Sequence, residues 1–168
     1  MHRLPLALQP PNSQVNIRRV RLSDCSSLSE NCWPNRSFAI IYDVVQRAEQ
    51  AAAEGRGLGV VVVGQDGTVR GYGQFLNYPT CGEISDMIVA RSYQGLGYGT
   101  AIIQTLARAA RDMGVQELEI GAAFSNPRAA ALYRRLGFED SHSLMLDLGN
   151  GKERVVFLRL NLQGEPQE

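Results

Sequence analysis

At 168 residues the chain suits a single domain, large enough to bury most of the surface that its unfolded form exposes. Apolar residues make up 44% and charged residues 20%, an ordinary globular composition that excludes a disordered class. Formal net charge is zero, so no global field draws the protein to nucleic acid or to an anionic membrane.

The prolines Pro5, Pro10 and Pro11 and the lack of a signal-peptide layout predict a disordered leader over residues 1–14. Val15 to Val20 reads as a short first strand; its neighbours Arg18, Arg19 and Arg21 are a solvated strand end or a local basic patch. Ser23-Asp24 is a helix N-cap signal. A loop from Asn31 to Arg36 follows, holding the single tryptophan, Trp33. From Ser37 to Glu54, Phe38, Ile41, Tyr42, Val45, Ala48 and Ala52 recur at three- and four-residue intervals, as on one helix face.

Leu58 to Val63 and Val69 to Leu76 read as strands joined by a tight turn, and Gly82 to Ala90 as a third. The Leu58–Val63 run is the longest apolar stretch and is far too short to span a bilayer. A helix is expected from about Gly97 to Met113, with Ile102, Ile103, Leu106, Ala110 and Met113 on one face and Gly114 as its stop. Leu118, Ile120, Ala122 and Phe124 alternate as in a strand. Asn126-Pro127 caps another helix, which Gly137 ends, and strands near 142–148 and 154–162 flank the hairpin signal Asn150-Gly151. The order β-α-α-β-β-β-α-β-α-β-β, with no repeat and no linker, describes one mixed α/β domain over 15–163, with a flexible tail at 164–168.

Three cysteines, Cys25, Cys32 and Cys81, show no C-x-x-C spacing, and His2 and His142 are the two histidines, so no metal site is expected. A reduced, cytoplasmic protein fits that usage. Cys81 reads as a small buried or loop cysteine, because an acyl-cysteine route would need an activating histidine.

The chemistry concentrates in Ser85 to Gly99, where a strand runs into Gln94-Gly95-Leu96-Gly97-Tyr98-Gly99 and a helix opens. Glycines let backbone N–H groups converge on an anion, and a helix N-terminus adds about half a positive charge. Taken alone, the pattern fits either a diphosphate cradle or a tight structural turn. Its G-x-G-x-G spacing is not that of a dinucleotide fold.

The segment Asn126-Pro-Arg-Ala-Ala-Ala-Leu-Tyr133-Arg-Arg-Leu-Gly137-Phe138 begins 27 residues after Gly99. Together, Gln94-x-x-Gly97-x-Gly99 and this segment resemble the pyrophosphate loop and the Asn-to-Phe helix of the GNAT superfamily of N-acetyltransferases. The resemblance covers about residues 15–162 and implies a central, mostly antiparallel twisted sheet of six or seven strands flanked by four helices. It implies acetyl-CoA as cosubstrate and direct transfer of acetyl to a primary amine. Met87, Ile88 and Val89 would hold the pantetheine arm, with N–H groups near Ile88 and Val89 facing the oxyanion. Gln94, Gly95, Leu96, Gly97, Tyr98, Gly99 and Thr100 would take the pyrophosphate, and Asn126 would contact pantetheine. Tyr133 would protonate the leaving thiolate; without the family pattern it reads as a core aromatic beside Ala129, Leu132 and Leu136.

Glu83 precedes Leu96 by the interval at which histone-type members of the family carry their catalytic glutamate. It is a base or a solvated strand-end carboxylate, with Asp86 and Glu119 as alternatives. Gly121 departs from the family's alanine-N-terminus branch, which has a glutamate twelve residues before the tyrosine. Trp33 is an acceptor wall or a core plug. Two further readings remain open: a longer acyl-CoA, or a non-catalytic acyl-CoA-binding module. The acceptor is a small molecule or a peptide amine, and homodimerisation is left open.

Overall fold

The computed structural model describes residues 3–149 and 151–164. Its elements are β1 (Ile17–Arg19), α1 (Cys25–Asn31), α2 (Phe38–Ala53), β2 (Gly57–Val63), β3 (Val69–Asn77), β4 (Gly82–Val89), α3 (Tyr98–Asp112), β5 (Glu117–Ala123), α4 (Pro127–Leu136), β6 (Glu139–Asp147) and β7 (Lys152–Asn161). The seven strands form one sheet in the order β1-β2-β3-β4-β5-β7-β6. Every neighbouring pair is antiparallel except β4 and β5. The chain order read from the sequence is the order found.

Local chemistry explains the helix limits. Ser37 caps α2 by accepting the Ile40 N–H, and Asn126 caps α4 by accepting the Ala129 N–H at 3.2 Å, with Pro127 in the first turn. Gly137 ends α4 in the left-handed region. Of the stripe expected on α2, Ile41, Val45 and Ala48 are buried while Phe38 and Tyr42 stay exposed. Asp24 stands before α1 but caps no helix N–H there; its carboxylate instead accepts hydrogen bonds from Nη1 and Nη2 of Arg18 and from the Arg21 N–H. On α3 the expected stripe is buried as far as Ala110, but Met113 lies past the last turn and is exposed.

Two apolar layers sandwich the sheet. The larger joins Ile102, Ile103 and Leu106 of α3 to Tyr133 and Leu136 of α4 and to Ile84, Leu118 and Ile120 of the strands. The smaller packs α1 and α2 on Val61, Val69 and Tyr72. The expected disordered leader is corrected over its described residues, 3–14. Leu6–Leu8 forms a 3-10 turn whose Ala7 and Leu8 are buried in the larger layer, and Gln104 donates to the Leu6 carbonyl. The prolines restrict this segment, and its apolar side chains supply the burial that orders it. Asn150 of the hairpin signal and residues 165–168 of the expected tail lie outside the described residues.

Trp33 is a plug rather than an open wall. It is buried in the smaller layer, edge-on to Tyr72 with ring centroids 5.4 Å apart, and Arg36 lies over its ring at 4.4 Å.

Candidate active site

The site arises where β4 leaves β5. The two strands pair only from Gly82 to Ile84 against Leu118 to Ile120. Beyond Ile84, β4 carries a bulge: Ser85 opposes Gln74 and Ile88 opposes Tyr72, so two residues, Asp86 and Met87, face the single Gly73. Asp86 takes a positive φ of 53°, the one non-glycine to do so among the described residues. Gly73 is required by close packing, since a Cβ there would lie 2.6 Å from the Met87 sulfur and 2.5 Å from Ile102. The bulge turns Met87–Val89 away from β5, leaving that side of their backbone without a strand partner.

A cleft of about 700 Å³ fills the opening. Its walls include Met87, Ile88, Val89, Gln94, Gly95, Gly97, Tyr98, Gly99, Thr100, Asn126 and Tyr133. These eleven are all expected site residues, drawn together from three segments. Two expected site residues do not line the cleft: Leu96, which is 61% exposed, and Glu83. Tyr93, Arg128, Ala129, Ala131, Leu132 and Arg135 also line it and were not anticipated as ligand contacts. For the two arginines a signal existed: positions 128 and 135 are two turns apart, hence on one helix face with Ala131 and Leu132.

The glycine turn is built to present N–H groups. Gly95 and Gly97 have φ of 79° and 84°, and Gly97 is the N-cap of α3 with no side chain on the first-turn amides. In contrast to α2 and α4, whose caps consume a donor, α3 leaves its N-terminal donors to whatever sits in the cleft. Gln94 donates to the Val89 carbonyl at 3.2 Å and ties the turn to the end of β4.

Tyr133 belongs both to the core and to the cleft wall. Its ring packs in the larger layer, 6.4 Å from Phe138, yet it forms part of the cleft wall. Its hydroxyl makes no hydrogen bond to the described residues, and burial holds its pKa above the ordinary tyrosine value. It is a protonated donor with no acceptor among the described residues.

The three carboxylates sit in different surroundings. Glu119 accepts from Arg159 at 2.8 Å, and Asp86 pairs with Arg36 at 3.4 Å. Glu83 stands beside Glu119 in the β4–β5 register, with no side-chain partner among the described residues. Burial raises the Glu83 pKa, and the charges of Glu119 and Asp86 raise it further. Ile84 points into the larger layer, so Glu83 lies on the opposite face of β4 from it and from the α3–α4 layer. On that same face Gly121 pairs with Phe157, and a Cβ there would meet Phe157 and Val155 at 3.2 Å. A side chain at that position, such as the glutamate of the alanine-N-terminus branch, requires Phe157 and Val155 to give by a few tenths of an ångström. Tyr72 donates to Gln74 at 2.6 Å and Gln74 to Ser85 at 3.2 Å, a buried relay that braces the strand beside the bulge. Cys81 is a half-buried free cysteine whose thiol is pushed up by burial and by Glu119, the reverse of what an acyl-cysteine nucleophile needs.

Comparison with known proteins agrees with this geometry. Residues 22–138 match the acetyltransferase (GNAT) family. The chain is 28% identical over 144 residues to a thialysine N-epsilon-acetyltransferase of Bos taurus, covering 75% of this chain and 85% of that one. It is 23% identical over 163 residues to an aminoglycoside N(6')-acetyltransferase type 1 of Stenotrophomonas maltophilia, covering 90% and 96% respectively. Among solved structures, yncA of Salmonella typhimurium, a putative acetyltransferase with its cofactor acetyl-CoA, superposes with a TM-score of 0.74 at 20% identity, over 93% of this chain and 98% of that one. The chain belongs to the GNAT family and is an acetyltransferase. No helix among the described residues is long and apolar enough to cross a membrane.

Proposed function

We propose that the protein transfers the acetyl group of acetyl-CoA directly to a primary amine, in a complex that holds both substrates at once. The observation that carries this reading is the convergence on one cleft of three things: a stretch of β4 backbone with no strand on its β5 side, an uncapped glycine turn, and a tyrosine hydroxyl with no hydrogen-bond partner among the described residues. The cleft's volume of about 700 Å³ and its arginines on α4 suit a long anionic ligand.

Bound acetyl-CoA supplies a thioester that is open to attack by an amine and has a thiolate as its leaving group. The N–H groups of Gly97 to Thr100 and the α3 dipole hold the diphosphate. Met87, Ile88 and Val89 offer backbone groups to the pantetheine amides, and an N–H near Ile88 or Val89 faces the developing oxyanion. Asn126 borders the pantetheine arm. Tyr133 gives its phenolic proton to the departing sulfur. Glu83, unpaired and with a raised pKa, removes the proton that the amine must lose before it attacks.

The relatives' names place amine acceptors of several shapes within the family, which supports an amine as acceptor here. The test is an amine-library screen with acetyl-CoA that follows thiol release, run beside a thermal melt. Acetyl-CoA is expected to raise the melting temperature, because a ligand that binds only the native state stabilises it by mass action. A well-folded preparation that shows no shift at millimolar acetyl-CoA overturns the reading.

A further inference from the structure

The glycine turn has no regular structure between the end of β4 and the start of α3, apart from a 3-10 turn at Arg91–Tyr93. Its backbone must nonetheless hold one shape for its amides to converge on an anion. One residue outside the turn touches it at three points. The carbonyl of Arg70, on β3, accepts the Ala90 N–H at 2.8 Å, where the turn begins. The Arg70 guanidinium lies over the Tyr93 ring, 4.1 Å from its centroid. Its Nη1 donates to the Tyr98 hydroxyl at 3.2 Å, where the turn ends.

The remaining surroundings of Arg70 sharpen the point. Among the described residues its Nε is buried without a hydrogen-bond partner, and its ion-pair partner Asp66 is a loose 3.8 Å away. Tyr98 lines the acetyl-CoA cleft and also a second cavity, of about 250 Å³, beside Val62 and Gly64. Tyr98 therefore borders two cavities while it packs against the larger layer, and the bond from Arg70 holds its hydroxyl.

We propose that Arg70 is the positioning residue of the phosphate turn. Its planar guanidinium stacks on Tyr93 and bonds to Tyr98 at once, bracing the segment between them in its anion-binding shape before any ligand arrives. Lysine could satisfy either contact but not both, since only the planar group presents a face and an edge together. The inference rests on the acetyl-CoA reading above.

The test measures two properties of the purified full chain: acetyl-CoA affinity by calorimetry, and hydrogen exchange of the unliganded protein. Arg70→Met is expected to weaken acetyl-CoA binding roughly tenfold and to speed amide exchange in 91–97, leaving β2, β5 and the body of α3 unchanged. Arg70→Lys should recover part of that loss, binding roughly threefold more weakly than wild type. Unchanged affinity in Arg70→Met overturns the proposal. So does a loss of affinity accompanied by faster exchange throughout β3 and α3, which marks a general loss of structure. Should Arg70→Met fail to fold, Tyr98→Phe removes only the hydroxyl, and the same two readings decide. A wild-type protein that does not bind acetyl-CoA refutes the reading on which the inference stands; a wild type and an Arg70→Met variant that bind equally well refute the inference alone.

Discussion

Replacing Glu83 by glutamine keeps the shape of the side chain and removes its capacity to take a proton. An acceptor ammonium with a pKa near 10.4 costs about 4.6 kcal/mol to deprotonate at pH 7, against about 1.4 kcal/mol for an α-amine near 8. Glu83 is the one candidate carboxylate with no arginine on it among the described residues, and its raised pKa brings its basicity closer to the working pH. For a lysine-like amine, Glu83→Gln should therefore lower turnover by about 10²- to 10³-fold at pH 7, within the usual worth of a positioned base. The deficit should shrink to less than about tenfold near pH 10, where solvent supplies neutral amine, and should be smaller throughout for an α-amine. The assay is thiol release against pH with two acceptors of different basicity. A deficit that is constant with pH, or equal for both amines, refutes the base role and leaves Glu83 as a positioning group.

Stability supplies an independent check on the same variant. A carboxyl whose folded pKa is raised binds more protons folded than unfolded, so the fold loses stability as pH rises from about 4.3 through the folded value. Glu83→Gln should then melt at or above the wild-type temperature at pH 7, and the advantage should vanish below about pH 4. A variant that melts lower at pH 7 would contradict the burial of an unpaired charge at this position.

Tyr133→Phe keeps the packed ring and removes the donor; acetyl-CoA binding should survive while turnover falls about 10²- to 10⁴-fold, and unchanged turnover would assign Tyr133 to packing. Because burial raises its pKa, the wild-type acid should not titrate away below pH 10. Gly97→Val places a β-branched residue at a φ of 84° with nothing within 4 Å of the new Cβ, so its effect is on the backbone alone. Left-handed backbone costs about 1–2 kcal/mol, a fall of roughly 2–8 °C in melting temperature, and the acetyl-CoA-induced shift should disappear. A full shift in that variant would remove the turn from the binding site. Burial raises the Asp24 pKa, but its bonds from Arg18 and Arg21 outweigh that and hold it below the ordinary aspartate value. Its stabilisation is present above about pH 3.9 and lost as pH falls through the lowered folded value, so Asp24→Asn should cost about 1–2 kcal/mol at pH 7 and nothing in strong acid, read by melts at both pH values.

The sequence by itself determined the elements, their order and most of the cleft wall. Those features are written in local chemistry: the 3.6-residue stripe of α2, the Asn126-Pro127 cap, and glycines where the turn before α3 needs left-handed backbone. A motif of that kind contacts the ligand through its own backbone, so its spacing along the chain is already its geometry in space. What the tertiary structure alone decided depends on residues far apart in sequence. Arg36 reaches Asp86 and Arg159 reaches Glu119, while Glu83, which the family interval had put first with those two as alternatives, has no such partner among the described residues. Leu6–Leu8 became core because α3 offers it a surface, although its prolines suggested a loose leader. Trp33 turned out to be a plug because Tyr72 of β3 lies against it. The brace from Arg70 to Tyr98 joins β3 to α3 across 28 positions of chain. Ion pairs and core contacts of this sort are chosen by which strands become neighbours, and no local periodicity records that choice.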